Sequence, residues 1–183
     1  MKNDWQIRIK WNVSLFRSIN NRRSKLLDRF YKKFFKMGKT YSLPIFLPLF
    51  YIWGGWRGVL EVIISLLITG VLMPAIKYTF RHKRPVALLK DVHLLEPVSL
   101  KSFPSADTAY AFTLFGVSIF FFPIWATVLM GIYAFIIAYG RIYMGAHFPI
   151  DVLTGAFFGM LSAFIGHYIL GEFLWEELYQ LIH

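Results

Sequence analysis

Long apolar segments are the feature that most constrains how this 183-residue chain can fold. Hydrophobic residues make up 57% of the sequence and charged residues only 16%. Continuous apolar runs of this kind are typical of helices in a bilayer, where every backbone polar group must find a partner within the protein. Gly155 and Gly159, in the last run, favour close helix packing within the molecule over dimerisation. The sequence predicts an all-α integral membrane bundle of about five transmembrane helices, at roughly 41–55, 59–80, 105–122, 124–140 and 148–171.

The net charge is concentrated at the N-terminus. Residues 1–40 carry twelve Lys or Arg and two Asp, giving +10, whereas the other 143 residues carry eight bases and eight acids. Such a block is typical of a solvated face or of a segment that contacts anionic lipid headgroups. Nucleic-acid binding is the weaker interpretation beside so much lipid-soluble chain.

Two patterns divide this N-terminal segment. In residues 5–15 apolar residues alternate, which is a strand signal by periodicity and also fits an interfacial segment, so the secondary structure stays open. In residues 24–37 apolar and basic residues fall on opposite faces of a helix, with Ser24 as its cap. We therefore predict a basic amphipathic membrane-surface segment at 1–40 and a transmembrane domain at 41–183.

The chain contains no cysteine, which excludes disulfides and thiolate metal sites but does not identify a compartment. The first apolar run begins only at about residue 41. No short apolar core follows the opening charges, which argues against a cleavable signal peptide.

Basic residues lie at the end of the second apolar run. Lys77, Arg81 and Arg84 are spaced four and then three residues apart, so they share one face if the helix continues through them. Three convergent cations suit a phosphate group. The alternative is that they are anchors whose charged ends reach the headgroups at the end of a helix.

A second polar motif precedes the third apolar run. Ser105 follows Pro104 and is a natural helix N-cap, which leaves backbone N–H groups of the first turn available to an anion. Asp107 lies in the same turn, where it can interact with the helix dipole, carry a proton, or do both. As an isolated motif this would be a simple cap.

The third motif is the most specific. His147 and Asp151 are four residues apart at the start of the last run, so the carboxylate can accept a hydrogen bond from one ring nitrogen and leave the other free as a nucleophile or base. Arg141 adds a cation in an apolar region, where ionisable residues indicate function. The other histidines have no comparable partner in the sequence and are predicted to be non-catalytic: His82, His93, His167 and His183.

Together the three motifs resemble those of the type 2 phosphatidic acid phosphatase superfamily. The resemblance covers residues 77–151, and three ordered motifs are far more specific than any single one. The chain reads Lys77, six residues, Arg84-Pro85; then Pro104-Ser105; then Arg141, five residues, His147, three residues, Asp151.

The resemblance implies a role for each of these residues. In that family the last-motif His forms a phosphohistidine and its Asp orients it, which assigns nucleophile and orienting residue to His147 and Asp151. The family's Lys and two Arg hold the phosphoryl oxygens. Neither metal nor other cofactor is implied, since phosphoryl transfer needs mainly positioning and charge stabilisation. By resemblance the phosphate-binding residues are Lys77, Arg84, Ser105 and Arg141.

The chain departs from the family pattern at three positions. The family's middle motif reads Pro-Ser-Gly-His and its last begins Ser-Arg, whereas Ala106, Asp107 and Gly140 stand here. The missing histidine is the family's general acid, a role that contributes roughly 100-fold to 10,000-fold. Asp107 is predicted to replace it as a catalytic residue, because a carboxylate beside a bound phosphate favours its protonated form. Alternatively, the leaving group needs little help.

The resemblance also orders the candidate substrates. Lipid A at its 1-position comes first, then undecaprenyl pyrophosphate, then phosphatidylglycerophosphate. A pyrophosphate or an anomeric sugar phosphate leaves more readily than a glycerol alkoxide, which favours such substrates over phosphatidate. The expected partners are a lipid phosphate substrate and membrane lipids, with no nucleic acid and no obligate protein partner.

Two rules give opposite predictions for the membrane face on which the pocket opens. Five spans place all three motifs on one membrane face, and the basic N-terminus lies on that face too, so the positive-inside rule puts the pocket in the cytoplasm. The family faces its pocket outward. We favour an outward pocket, facing the periplasm in a multi-pass protein of the bacterial inner membrane, because several of the cations serve the substrate and a surface helix is not an ordinary loop.

Two other classes of protein fit parts of the pattern. A non-catalytic lipid-binding protein would keep a phosphate pocket after losing its acid at Asp107, but binding alone needs no oriented pair of His147 and Asp151. A transporter or channel would use the charges as a relay, but they cluster at span ends on one face instead of crossing the bundle. A phosphatase acting on a lipid through residues of the 41–183 domain uses all three motifs.

Overall fold

The computed structural model describes residues 5–38, 40–97 and 101–170, and within these ranges the chain is built from helices. Two 3₁₀-helices, Phe35–Gly38 and Thr40–Phe46, lead into the bundle. His183 and the last part of the predicted 41–183 domain lie outside the described residues. The predicted all-α membrane bundle is confirmed. The α-helices are α1 (Trp5–Arg8), α2 (Lys10–Asn20), α3 (Lys25–Phe34), α4 (Leu47–Phe80), α5 (Pro85–Leu88), α6 (Ala106–Phe121), α7 (Ile124–Tyr143) and α8 (Pro149–Ile169).

Among the described residues, α4, α6, α7 and α8 form the apolar bundle. α6 lies at its centre, in contact with α4, α7 and α8, and many of its side chains are buried. The outer helices expose large apolar side chains, as a surface against lipid tails requires; examples more than half exposed are Leu67, Ile124 and Phe157. In the part of the chain that the structure describes, the segments long and apolar enough to cross a membrane are Ser42–Phe80, Ile124–Tyr143 and Pro149–Ile169, and Ala106–Phe121 is a shorter apolar helix.

The first two predicted spans correspond to two helical parts of α4 that meet at a kink. This helix is interrupted at Gly55, whose φ of 57° and ψ of −153° are non-helical. A positive φ of this kind favours glycine, because a side chain would be strained there. The kink lies at the boundary predicted between 55 and 59. A Cβ at Gly58 would lie 2.7 Å from the carbonyl oxygen of Phe50, so the chain turns back on itself here and the two parts of α4 lie side by side.

Trp5–Arg8 and Lys10–Asn20 are helices, so the strand signal in residues 5–15 was misleading. α2 contacts α7 and α8. Its buried positions, Asn12, Phe16 and Asn20, recur every four residues, and Phe16 packs on Phe148 with ring centroids 5.3 Å apart. A count of apolar residues alone misses this helical stripe, because two of its three members are amides that bond to the bundle.

α3 confirms the amphipathic helix predicted for residues 24–37. Ser24 occupies the N-cap position, although its side chain makes no capping hydrogen bond. Leu26 is 74% exposed, whereas Tyr31 is buried against α7. An exposed apolar edge among basic residues suits a membrane surface. Binding of the segment to that surface stays a prediction.

Close approach of α8 to α6 aligns the two helix starts. A Cβ at Gly155 would lie 2.4 Å from the carbonyl oxygen of Ser105, and one at Gly159 would lie 2.2 Å from that of Ala109. The predicted intramolecular role of the glycines is therefore confirmed. At the same end, the backbone N–H of Ser105 donates to the carbonyl of Asp151 at 3.0 Å.

The loops that carry the three motifs meet at this end of the bundle. An antiparallel bridge joins Lys83 to Lys101, and Ser102 donates its backbone N–H to the carbonyl of His82 at 2.8 Å. These contacts hold the residues after α4 beside the residues before α6. The short connection from α7 to α8 completes the cluster.

Candidate active site

His147 is the centre of the site. It lies just before α8 and is 1% exposed, with Nδ1 3.3 Å from Asp151 Oδ2 and Nε2 3.1 Å from Arg84 Nη1. A guanidinium can only donate hydrogen bonds, so Nε2 must accept and the ring proton belongs on Nδ1. The imidazole thus presents a lone pair to the basic side of the pocket and an N–H to the carboxylate. The pairing predicted from the four-residue spacing is present.

The surroundings keep this imidazole neutral. Burial, followed by the positive charges of Arg84, Arg141 and Lys77, lowers the pKa of His147 well below 6.5. Each of these effects disfavours the charged imidazolium. At neutral pH the side chain is therefore in the form that can act as a nucleophile.

Asp151 is fully buried and surrounded by donors. Its Oδ2 accepts hydrogen bonds from Ser102 Oγ and from the backbone N–H of Phe148 at 3.0 Å. Its Oδ1 accepts from Gln6 Nε2. Sequence reasoning missed Ser102 and Gln6, which lie 49 and 145 residues from Asp151 along the chain. These donors stabilise a carboxylate oriented toward His147.

The prediction that Lys77, Arg81 and Arg84 share one helical face was wrong. α4 ends at Phe80, and Arg81 takes a left-handed conformation with a φ of 49°. Arg81 is exposed and its Nε donates to the carbonyl of Tyr78 at 3.0 Å, whereas Arg84 is 5% exposed. The left-handed residue redirects the chain, so Arg84 enters the site from a loop.

Two guanidinium groups lie buried near His147. Arg84 Nη1 donates to the carbonyl of Ala146 at 2.7 Å. Burial and the charge of Arg141 lower the pKa of Arg84 to about 10, which still leaves it charged at neutral pH. Lys77, in the last turn of α4, is half-buried. Cations that are desolvated and close to one another form a strong site for an anion.

Arg141 is held by two carboxylates. It is 3% exposed in the last turn of α7, with Nη2 3.3 Å from Asp107 Oδ2 and Nη1 bonded to Glu96 Oε1. Its guanidinium carbon lies 4.3 Å from the centre of the Phe35 ring. Glu96 was not predicted, because it belongs to the long polar loop and has no regular spacing from any motif. The structure thus brings Asp107 beside the cationic cluster.

Ser105 occupies the predicted N-cap position of α6. Its side chain is fully buried, and its Oγ lies 2.9 Å from Thr108 Oγ1 rather than bonding a backbone N–H. Its main chain bonds to Asp151 at the start of α8. Ser105 therefore links the second and third motifs, and a direct bond from it to phosphate stays a prediction.

The other described histidines have separate surroundings. His82 Nε2 accepts from Trp5 Nε1 at 2.8 Å, and burial lowers the pKa of His82. His93 is exposed. His167 lies in the last turn of α8, with Nδ1 2.9 Å from Glu61 Oε1. This carboxylate partner could not be seen in the sequence, since 106 residues separate the two.

The cluster has the parts that phosphoryl transfer needs. A neutral, oriented imidazole faces cations that can hold an anion, and its second nitrogen faces a carboxylate that can stabilise positive charge on the ring. A carboxylate, Asp107, lies beside one of those cations. Nothing in this chemistry requires more than positioning and electrostatic stabilisation.

Comparison with known proteins agrees with this chemistry. The family model of the PAP2 superfamily matches residues 58–175. A protein named undecaprenyl-diphosphatase from Sulfolobus acidocaldarius is 30% identical over 159 residues, which cover 86% of this chain and 77% of the relative.

Two solved structures are similar. The LpxE protein of Aquifex aeolicus superposes with a TM-score of 0.81 at 39% identity, covering 86% of this chain and 95% of LpxE. A transmembrane PAP2-type phosphatidylglycerolphosphate phosphatase from Bacillus subtilis has a TM-score of 0.74 at 19% identity, covering 91% and 88%, and this shows a common fold. From its family match, its relatives and its membrane helices, the chain belongs to the PAP2 superfamily and is a membrane lipid phosphatase.

Proposed function

We propose that this enzyme removes the 1-phosphate of lipid A through a phosphohistidine formed on His147. The observation that carries the mechanism is the direction of the imidazole, whose Nε2 faces Arg84 while Nδ1 faces Asp151. The substrate is supported by 39% identity to LpxE, a lipid A 1-phosphatase.

In the first step His147 Nε2 attacks phosphorus and the bond to the lipid oxygen breaks. Lys77, Arg84 and Arg141 hold the non-bridging oxygens, with Ser105 at the helix N-terminus beside them. Their charges stabilise the negative charge that spreads over these oxygens in the transition state. Asp151 accepts the hydrogen bond from Nδ1 and stabilises the positive charge that develops on the ring.

Asp107, protonated when the negative charge of the bound phosphate lies beside it, supplies the proton for the departing lipid oxygen. It lies 3.3 Å from Arg141 Nη2, so a phosphate that binds this guanidinium comes next to the carboxyl group. The position is that of the family's missing histidine, and Asp is a group that can give and take a proton. An anomeric sugar phosphate, which leaves readily, reduces the demand on this acid.

In the second step water attacks the phosphorus of the phosphohistidine. The bond from phosphorus to Nε2 breaks, inorganic phosphate leaves, and His147 returns to its neutral form. Asp107, ionised after the first step, accepts the proton that the water loses. The products are the dephosphorylated lipid and inorganic phosphate, and no metal or cofactor takes part.

Two alternative substrates follow the same mechanism. Undecaprenyl pyrophosphate is supported by the relative from Sulfolobus acidocaldarius at 30% identity. Phosphatidylglycerophosphate is supported by the Bacillus subtilis fold alone, at 19% identity. A diphosphate shares the easy departure of an anomeric phosphate, so it is the stronger alternative.

The substrate is tested by phosphate release from purified protein in detergent micelles without divalent metal. The lipids are lipid A, undecaprenyl pyrophosphate, phosphatidylglycerophosphate and phosphatidate, and the variants are His147→Ala and, as a matched control on the exposed His93, His93→Ala. We expect the fastest release from lipid A, loss in His147→Ala and full activity in His93→Ala. Faster turnover of another lipid would reassign the substrate. Phosphate release by His147→Ala would rule out a phosphohistidine on that residue.

We further propose that the enzyme lies in the bacterial inner membrane with its site facing the periplasm. The three motifs lie at one end of the bundle, so one reporter is enough to determine the orientation. A C-terminal fusion follows α8, which leads away from the site. Activity of a cytoplasmic reporter there supports an outward pocket, and activity of a periplasmic reporter contradicts it.

A further inference from the structure

We infer that Gln6 is a positioning residue of the active site, and that α1 is thereby part of the phosphatase and not only a membrane-surface segment. The inference rests on the proposed function of His147 and Asp151. It extends the site to a residue 145 positions away in the chain, from a region that none of the three motifs includes.

The two oxygens of Asp151 have different donors. Oδ2 serves His147 Nδ1, Ser102 Oγ and the backbone N–H of Phe148. Oδ1 accepts from the side chain of Gln6. A carboxylate turns about its Cβ–Cγ bond, and a donor on the second oxygen restricts that rotation further. Gln6 thus determines the direction in which Oδ2 meets the imidazole.

Gln6 is itself held in place. It is 2% exposed, and its backbone carbonyl accepts from Asn12 Nδ2 at 3.1 Å. Asn12 Oδ1 in turn accepts from the backbone N–H of Ile150 at 3.0 Å, one residue before Asp151. Trp5, the neighbour of Gln6, donates to His82 in the loop that leads to Arg84. α1 is therefore tied at once to the loop that leads to Arg84 and to the start of α8.

An amide suits this position better than a charged donor. A lysine or arginine would pair with Asp151 and weaken its attraction for positive charge on His147. A neutral N–H donor orients the carboxylate and leaves most of its charge available to the ring. The alternative, that Gln6 only fastens α1 to the bundle, predicts a loss of stability with no particular dependence on pH.

Two variants of nearly equal size separate these possibilities. Gln6→Met removes the donor. Gln6→Glu places a second carboxyl group against Asp151; this group repels the first when ionised, and restores a donor when protonated. For Gln6→Met we expect kcat to fall roughly 10-fold to 100-fold with little change in KM, as when an orienting partner is lost. For Gln6→Glu we expect kcat relative to wild type to rise as the pH falls from about 8 to about 5.

The measurement is phosphate release from lipid A micelles, or from whichever of the four lipids the wild type hydrolyses best, at each pH. Equal kcat in wild type and both variants would overturn the inference, and so would equal losses in both variants at every pH. If Gln6→Met does not fold, the pH dependence of Gln6→Glu decides alone. Failure of the wild type on all four lipids would instead overturn the proposed function, and this inference with it.

Discussion

Two histidine–carboxylate pairs lie at opposite ends of α8. His147, just before the helix, is 3.3 Å from Asp151, and His167, in its last turn, is 2.9 Å from Glu61. At 1.5 Å per residue the two rings are roughly 30 Å apart. By distance alone the second pair is the closer one, so the pairing itself does not distinguish a reactive histidine.

The surroundings of the two pairs are what differ. His147 is 1% exposed and its free nitrogen faces Arg84. The ring of His167 is 37% exposed and stacks in parallel on Phe120, with centroids 3.7 Å apart. A phosphate can approach the first ring along a path of cations, whereas the second ring is covered by an aromatic face. The cations around the ring, and not the pairing with a carboxylate, therefore distinguish His147 as the proposed phosphoryl acceptor.

The largest expected difference between the pairs is in catalysis. We expect His147→Ala to lower kcat by at least about 10,000-fold, because a nucleophile is lost, and His167→Ala to leave kcat within about threefold. Phosphate release per folded molecule measures both, and a phosphorylated enzyme trapped with labelled lipid should form only when His147 is present. Comparable losses of kcat in the two variants would contradict a difference in catalytic role between the two pairs.

Substitution of the two carboxylates should also affect kcat unequally, but by a smaller factor than substitution of the two histidines. Asp151→Asn offers an amide that can donate to Nδ1, which favours the wrong tautomer of His147 and should lower kcat roughly 1,000-fold to 10,000-fold. Glu61→Gln keeps the shape of the far pair and should leave kcat nearly unchanged. A single-turnover assay on the preferred lipid compares the chemical steps, and near-wild-type chemistry in Asp151→Asn would contradict the orienting role.

The cations should determine the pH dependence. Their charge and burial lower the pKa of His147, so the imidazole stays neutral to a lower pH and the acid limb of kcat/KM in the wild type should lie below pH 6.5. Arg84→Gln removes one positive charge, which raises the pKa of His147, so that limb should move to higher pH. We also expect kcat/KM to fall about 100-fold to 1,000-fold through lost oxyanion stabilisation. An acid limb that stays in place in Arg84→Gln would show that another group controls it.

The smallest effect should be on stability at the far pair. Glu61 is fully buried, and its Oε2 has no hydrogen-bond partner among the described residues. His167→Phe keeps an aromatic ring beside Phe120 but leaves the carboxylate without its imidazole, at a cost of about 1–3 kcal/mol. Thermal unfolding in detergent should show a lower midpoint, with kcat unchanged after correction for folded protein. An unchanged midpoint would mean that the pair does not link α4 to α8.

Some residues of the site could be predicted from the sequence, and others could not. The pairing of His147 with Asp151 followed from a four-residue spacing, which places two side chains together near a helix start. The prediction that Lys77, Arg81 and Arg84 share one helical face failed, because it assumed that α4 continues past Phe80. Spacing rules hold only as long as the local helix does.

The N-terminal segment shows the other limit. Its charge and the amphipathic pattern of α3 were visible in the sequence, but the burial of Gln6 and Asn12 was not. Both are polar residues in a strongly basic region, where solvent exposure is the ordinary expectation. Their partners, Asp151 and Ile150, lie more than 130 residues away.

The class of the molecule and its chemistry could be inferred from local patterns of residues alone. Apolar runs require helices in lipid, and local spacing brings His147 to Asp151. Three contacts could be seen only in the folded molecule. Arg84 faces the free nitrogen of the imidazole, and Glu96 and Asp107 hold Arg141. Gln6 reaches the carboxylate that orients the imidazole. The physical reason is that backbone periodicity fixes neighbours within a few residues, whereas contacts between distant segments depend on how the whole bundle packs.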